Sequence, residues 1–429
     1  MSNTFTRMGT ANSYDNALRN LTSRQNALSG LQENVTSGKK ILRASDDPTG
    51  AGAAERATTR IERIKTEQRA LEVQKSAITQ AESTLGSATS LLQSFRDLVV
   101  QAGNGANSPT ERETIAKQLV GIRDELLDLA NRKDSNGMPL FNGLGSTAAP
   151  FETSVDGTPP DPDYTYNGLP GQSAASTVAI PFTLDGRAAW MDVPESNGVF
   201  NVSLGTTNTG KAFADIGVVT DATTAALPAN GYDYTINFIA PVAPATGATT
   251  YTVTNNTTSV TSAAQTYTAG QSITMGGISV VVKGAPANGD TMEINANVAA
   301  SRPSIFGVLD RAIASMYAKD AAGNTTTTGA NSTDANFNHE QAISLAQIDT
   351  SLEKISSSRG KAGDLLTRAD RITDTQSANT IQSESDRSNA EDLDMIAAIA
   401  DQKNQQTAYQ AALQSYASIQ KLSLFNYIG

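Results

Sequence analysis

The residues of this chain best suited to chemistry are its acidic groups. Asp46 and Asp47 stand side by side, and Glu391, Asp392 and Asp394 crowd together far along the chain. Paired carboxylates can share acid–base work or ligate a cation. Neither group has a spacing that asks for it. Asp46-Asp47 precedes Pro48, where an acid caps a helix start and meets the positive end of its dipole. The second group lacks the Asp-x-Asp-x-Asp-Gly order of a calcium loop, and His339-Glu340 lacks the second His of a zinc-protease helix. Ser203-Leu204-Gly205 has no strand–turn–helix around it to make a nucleophile elbow. Asn256-Thr257-Thr258 fits a glycosylation acceptor, a triplet common in Thr-rich segments. With one His (His339), one Trp (Trp190) and no Cys, thiolate sites and disulfides are excluded and little remains for metal chemistry. No catalytic, metal or cofactor site is expected.

Charge narrows the partners further. A net charge of −11 and a pI near 4.7 argue against nucleic acid, whose phosphates need a basic surface. No run of about 18 apolar residues exists, so no membrane span is expected. Neither end pairs a basic start with an apolar middle, so no secretory leader is expected. A length of 429 residues allows about two to four domains.

The elements that must position any site have a clear period. Ile64, Leu71, Ile78, Leu85, Leu92 and Val99 follow at steps of seven, with no Pro between Pro48 and Pro109. That spacing predicts a helical rod of about 55 residues and about 80 Å, packed lengthwise on other helices. Asp47 caps its start with Pro48 in the first turn, and Gly103-Asn104-Gly105 closes it. Ser108-Pro109-Thr110-Glu111 is a capping box for a second helix. Its stripe of Ile115, Leu119, Ile122, Leu126 and Leu129 suits antiparallel packing on the first, and Asn136-Gly137-Met138-Pro139 ends it.

Residues 144–301 have a different texture. They hold three of the 32 Lys and Arg, namely Arg187, Lys211 and Lys283. Strand-like runs at Tyr232–Ile239, Thr250–Val253 and Ile278–Val282 are separated by Gly, Pro and Asn. A break near Ala222–Ala229 would divide this zone into two. Beyond it, Ser304 opens a short helix with Ile305, Val308, Leu309, Ala312, Ile313 and Met316 on one face. After a loop at Ala321–Asp334, a second long stripe runs through Leu345, Ile348, Leu352, Ile355, Ala362 and Leu366. It weakens over Thr373–Asn389 and resumes at Leu393, Ile396 and Ile399.

Near the ends, Tyr14, Leu18, Leu21, Leu28 and Val35 keep heptad spacing with Gln25 and Gln32 in the gaps. Ile399, Tyr409, Leu413 and Tyr416 do the same with Gln402 and Gln406. Short helices with Gln in the seam are marginal alone and become stable when partners bury the stripe. The expected fold class is α+β: a long antiparallel helical bundle with coiled-coil termini and an inserted all-β outer domain. Its segments are 1–45, 46–143, 144–301, 302–390 and 391–429, the first and last forming the inner coiled coil and the second and fourth the rod.

Several strings at both ends resemble the flagellin superfamily, most of all its hook–filament junction branch. They are Ser37-Gly38-Lys39-Lys40, Ser45-Asp46-Asp47-Pro48, the acidic Glu391-Asp392-Leu393-Asp394, and Leu422-Ser423-Leu424-Phe425-Asn426-Tyr427-Ile428. The segment from Lys283 through Gly289-Asp290 to Ile294 is similar to a β motif of hook-associated proteins. The likeness covers about residues 10–145 and 275–429. One departure is Met138-Pro139-Leu140-Phe141-Asn142-Gly143, nearer to some flagellins, which keeps a flagellin-like filament subunit open as an alternative.

The resemblance implies a secreted structural subunit of the bacterial flagellum that catalyses nothing. It would polymerise at the distal hook and join the hook to the filament, on the outside of the cell. Its implied partners are further copies of itself, the other hook–filament junction protein, flagellin, and a cytoplasmic export chaperone. Leu18, Leu21, Leu28 and Val35 are expected to pack against Leu413, Tyr416, Ile419 and Leu422. Leu424, Phe425, Tyr427 and Ile428 are assigned to inter-subunit or chaperone contact. Gln402, Gln406, Gln410 and Gln414 form a row that could line a tube. A third reading is a secreted adhesin whose β zone binds carbohydrate through Trp190, Tyr164 or Tyr166.

Overall fold

A computed structural model describes residues 10–105, 107–146, 148–154, 163–242, 247–296, 302–317 and 334–428. The helices α1 (Thr10–Ser37), α2 (Pro48–Ala102) and α3 (Pro109–Ala130) come first. Then follow β1 (Phe151–Ser154), β2 (Asp163–Tyr166), α4 (Gly186–Trp190), β3 (Asn201–Leu204), β4 (Phe213–Ala214), β5 (Val218–Val219) and α5 (Ala222–Ala225). Next are β6 (Tyr234–Ile239), β7 (Thr250–Asn255), β8 (Val260–Thr261), β9 (Gln265–Thr266), β10 (Ser272–Met275), β11 (Ile278–Lys283) and β12 (Thr291–Asn295). Three helices close the order: α6 (Ile305–Met316), α7 (Asp334–Glu391) and α8 (Met395–Ile428). The loop expected at Ala321–Asp334 falls almost wholly outside the described residues. The chain divides into two compact units, one of residues 1–69 with 371–429 and one of residues 70–370.

In the unit of residues 70–370, α2 and α7 run antiparallel. The ion pairs Lys75–Asp370 at 2.7 Å, Glu82–Arg359 at 2.5 Å and Arg96–Asp349 at 2.6 Å climb one helix as they descend the other. All three have exposed partners, so they mark the register more than they hold it. The holding force is apolar. Every residue of the sevenfold stripe from Ile64 to Val99 is buried, each contributing about 1.5–3 kcal/mol. On α7 the buried stripe is Ile348, Ile355, Ala362 and Ala369, again at steps of seven, and in the other unit Gln376 and Ser383, buried on the same helix, keep that spacing. The stretch that reads as a weakened stripe therefore keeps its register and changes only its chemistry. Neither polar atom of the Gln376 amide has a hydrogen-bond partner, nor does Ser383 Oγ.

α3 packs on α6 and ends at Ala130, with Asn131 as its C-cap. A polar knot ties α3, β2 and α6 together: Arg123 Nη1 donates to Tyr164 Oη and to Asp310 Oδ1, each at 2.6 Å, and Tyr164 donates to Asp310. Burial raises the Asp310 carboxyl above its ordinary range, against the pull of Tyr164 and Arg123. Beside it Trp190 stacks on Phe306 at 5.7 Å, with Phe141 and Phe151 edge-on.

Residues 200–294 form a sandwich of two antiparallel sheets, ordered β3-β12-β6-β7-β8 and β10-β11-β4. Alternation supplies the core: Tyr234, Ile236 and Phe238 from β6 face Ile273 and Met275 from β10 and Ile278, Val280 and Val282 from β11. The break expected near Ala222–Ala229 does not occur. Those residues include α5, and Ala225 lies within this single core. Asp290, buried in the motif between Lys283 and Ile294, accepts from the N–H groups of Thr209 and Ala287 at 2.9 and 2.7 Å, fixing the entry to β12.

Candidate assembly interface

In the unit of residues 1–69 and 371–429, residues 38–47 clasp the α7–α8 turn. Gly38 takes a φ of +74°, the left-handed stop that ends α1. Lys40 N–H then donates to Glu391 O at 2.8 Å, and Leu393 N–H to Gly38 O at 2.9 Å. Lys39 pairs with Glu391, and Lys40 Nζ reaches Asn389 O at 2.9 Å. The acidic groups of the sequence serve structure here, Glu391 by meeting Lys39 and Asp46, Asp47 and Asp394 by accepting from backbone N–H groups. Asp46 Oδ2 accepts from Arg43 N–H at 2.8 Å, closing the loop. Asp47 Oδ1 accepts from Thr49 and Gly50 N–H at 3.0 and 2.9 Å, capping α2. Asp394 caps α8 in the same way, accepting from Ile396 and Ala397 N–H at 3.0 and 3.1 Å. Sequence reasoning weighed Asp394 only as a cation ligand. Its place immediately before an unbroken helical stretch was the signal for a cap.

From that clasp α1 and α8 lie against each other. The end of α1 and the start of α8 share the Lys39–Asp392 bridge, so the pair is antiparallel. Both helices rise about 1.5 Å per residue, which sets Leu18 about level with Leu413, Leu28 with Gln402, and Val35 with the first turn of α8. Of the expected seam between Leu18, Leu21, Leu28 and Val35 and Leu413, Tyr416, Ile419 and Leu422, this register sets Leu18 level with Leu413, while the opposite chain direction leads the backbone at 419 and 422 away from Leu28 and Val35. The backbone of α8 is described, but the side chains of Ile419, Leu422, Leu424, Phe425, Tyr427 and Ile428 lie outside the described residues.

Burial along this pair is partial. Leu21, Leu28 and Val35 are half-buried, with Leu31 beside them; from α8, Gln402, Tyr409, Ala412 and Tyr416 are half-buried and Ala398 fully buried. Gln406, Gln410 and Gln414 are exposed. So are Leu18 (47%), Leu413 (41%), Ile399 (51%) and Ile396 (85%). The stripe expected to resume as core at Ile396 and Ile399 turns outward instead, because α8 faces its small residue Ala398 inward. Two helices alone cannot cover an apolar surface that runs around both.

Elsewhere the α3 start forms a reciprocal box: Ser108 N–H donates to Glu111 Oε2 at 2.7 Å, and Glu111 N–H donates to Ser108 Oγ at 3.4 Å. The Ser108 backbone, then its hydroxyl, hold the Glu111 carboxyl below its ordinary range. The carbohydrate-binding reading loses Trp190 and Tyr164, which are buried in the aromatic core, while Tyr166 is half-buried with its hydroxyl donating to Phe141 O at 3.2 Å. Among the described residues no group of three or more His, Asp or Glu could hold a metal ion. No helix among them is long and apolar enough to cross a membrane.

Residues 9–146 match the family model of the bacterial flagellin N-terminal helical region. The chain's relatives are flagellar. It is 32% identical over 155 residues to flagellar hook-associated protein 3 of Salmonella typhimurium, covering 35% of this chain and 48% of that protein. It is 35% identical over 133 residues to polar flagellin C of Vibrio parahaemolyticus, covering 31% and 35% respectively. The chain thus spans about half the length of the curated hook-associated protein it matches, and less of the flagellin. The crystal structure of the flagellar junction protein FlgL from Legionella pneumophila is similar over 74% of this chain and 99% of that one, with 28% identity and a TM-score of 0.62. Long helices with a β-sheet domain between them are therefore a fold shared with a flagellar junction protein.

Proposed function

We propose that this chain is a structural, non-catalytic subunit of the bacterial flagellum that polymerises at the distal hook and joins it to the flagellin filament. The observation that carries this reading is the likeness to the junction protein from Legionella pneumophila, which extends over nearly all of that protein and about three quarters of this chain. The physics agrees with it. Leu18, Leu413, Ile396 and Ile399 are exposed in the single chain, and burial of such rows is what drives subunits together. Leu21, Leu28, Val35 and Tyr416 form the half-covered seam beneath them. Leu422, Leu424, Phe425, Tyr427 and Ile428, with Ile419, would extend that surface toward a neighbouring subunit in the polymer or toward an export chaperone before it. The partners are copies of this chain, a second junction protein below and flagellin above, on the outside of the cell.

Deleting the gene in its own bacterium tests this. Hooks without filaments, together with flagellin released into the medium, support the junction role; normal filaments on the deletion strain overturn it. A filament subunit is the second reading, favoured by the flagellin likeness over the N-terminal helices. It predicts that the purified chain alone grows long filaments.

A further inference from the structure

Each sheet of the sandwich ends on an edge strand, β3 in the larger sheet and β4 in the smaller. Edge strands present backbone carbonyls with no ladder partner. His339, the only histidine of the chain, sits buried against both edges from α7. Its Nδ1 lies 2.9 Å from Ala214 O on β4, and its Nε2 lies 2.9 Å from Val202 O on β3. A carbonyl can only accept. A neutral imidazole has one N–H and one lone pair, so it serves one carbonyl and turns a lone pair on the other. The imidazolium has two N–H groups and donates to both.

We propose that His339 is a proton-operated staple between α7 and the two sheet edges. Protonated, it ties both edges to the helix; deprotonated, it lets one go. Around it, Glu340 follows on α7, Glu195 precedes β3, and Arg311 projects from α6; with Asn336 and His339 they line a hollow of about 240 Å3. Arg311 is paired with Glu195 at 3.2 Å, so its charge is met locally while Glu340 adds a further carboxylate. Asp215, next to Ala214, has its Oδ1 occupied by the N–H groups of Gly217 and Val281 at 3.0 and 2.9 Å. β3 and β4 contribute no charged side chain. The charged ring satisfies both carbonyls and the neutral ring only one, so loss of the proton leaves one sheet edge untied.

The test uses the full chain with ¹⁵N-labelled histidine, whose single imidazole needs no assignment. At pH 5.5 both ring nitrogens carry a proton; at pH 8 one has lost it, and amide exchange in β3 and β4, corrected for intrinsic rates, is about tenfold faster, as expected for losing one charge-assisted bond. His339→Gln, which cannot titrate, abolishes that pH-dependent change in exchange. A ring that is neutral at pH 5.5, or the same pH dependence in parent and variant, overturns the proposal. Should the variant fail to fold, the ring-nitrogen signals of the parent decide alone.

Discussion

Gly38 and Leu393 are joined by a backbone hydrogen bond of 2.9 Å, although one ends the first helix and the other opens the last. The bond brings the two ends of the chain to one place and sets the antiparallel register of α1 on α8. Everything proposed for assembly depends on that clasp, and its neighbouring packing can be tested residue by residue.

Gly50 lies under the clasp. A Cβ there would sit 2.5 Å from both Asp47 Oδ2 and Ile41 Cδ1. Gly50→Ala is expected to lower stability by about 1–3 kcal/mol through this overpacking, read as a fall in melting temperature of the full chain. Gly52→Ala is the control. Its added methyl would meet only Arg56 Nη1, at 3.4 Å, and alanine is the better helix former by about 1 kcal/mol.

The capping box of α3 carries a pH signature. Ser108→Ala should cost about 1 kcal/mol at neutral pH. The Glu111 carboxyl is held below its ordinary value by Ser108, so its share of that stabilisation is present above the normal carboxylate range. That share disappears as pH falls through the lowered value. Denaturant melts of parent and variant should therefore converge in acid. A gap that widens in acid would refute the assignment.

Gln376 occupies a seam position that Ile355 and Ala362 fill with apolar atoms, and its buried amide has no partner. Gln376→Leu is expected to raise stability by about 1–3 kcal/mol, the desolvation cost of an unsatisfied buried polar group. A loss of stability in thermal melts would instead mean that the amide is satisfied by bridging water.

Leu18 and Leu413 stand level and exposed. Leu18→Asn with Leu413→Asn should leave the melting temperature of the isolated chain within a few degrees, since exposed substitutions change stability by about 0.5 kcal/mol. The same pair should abolish filament growth when the double variant replaces the parent in its bacterium. Motile cells with normal filaments would remove these residues from the interface.

The sevenfold stripe of α2 and the caps at Asp47 and Ser108 could be read directly, because a heptad and a cap are local patterns whose partners hardly alter them. The seam of α7 could not be followed past Leu366. A search for apolar residues passes over Gln376 and Ser383, yet spacing, not polarity, decides which residues a helix turns inward. Ile396 and Ile399 misled in the opposite sense: they are apolar, but the antiparallel approach of α1 selects Ala398. Trp190 and Tyr164 looked available for a ligand because nothing local announces Phe306, which arrives from far along the chain to bury them. Long-range packing of this kind also made one core of residues 200–294, where the length of the β zone suggested two units with a break near Ala222–Ala229.

The most direct test is to add the purified chain to isolated hooks from a strain that lacks it, then supply flagellin monomers and measure filament length by electron microscopy. The account predicts that filaments grow only on hooks that first received this chain, and that the chain alone adds no more than a short cap. Equal growth on untreated hooks, or long filaments from the chain by itself, would contradict it.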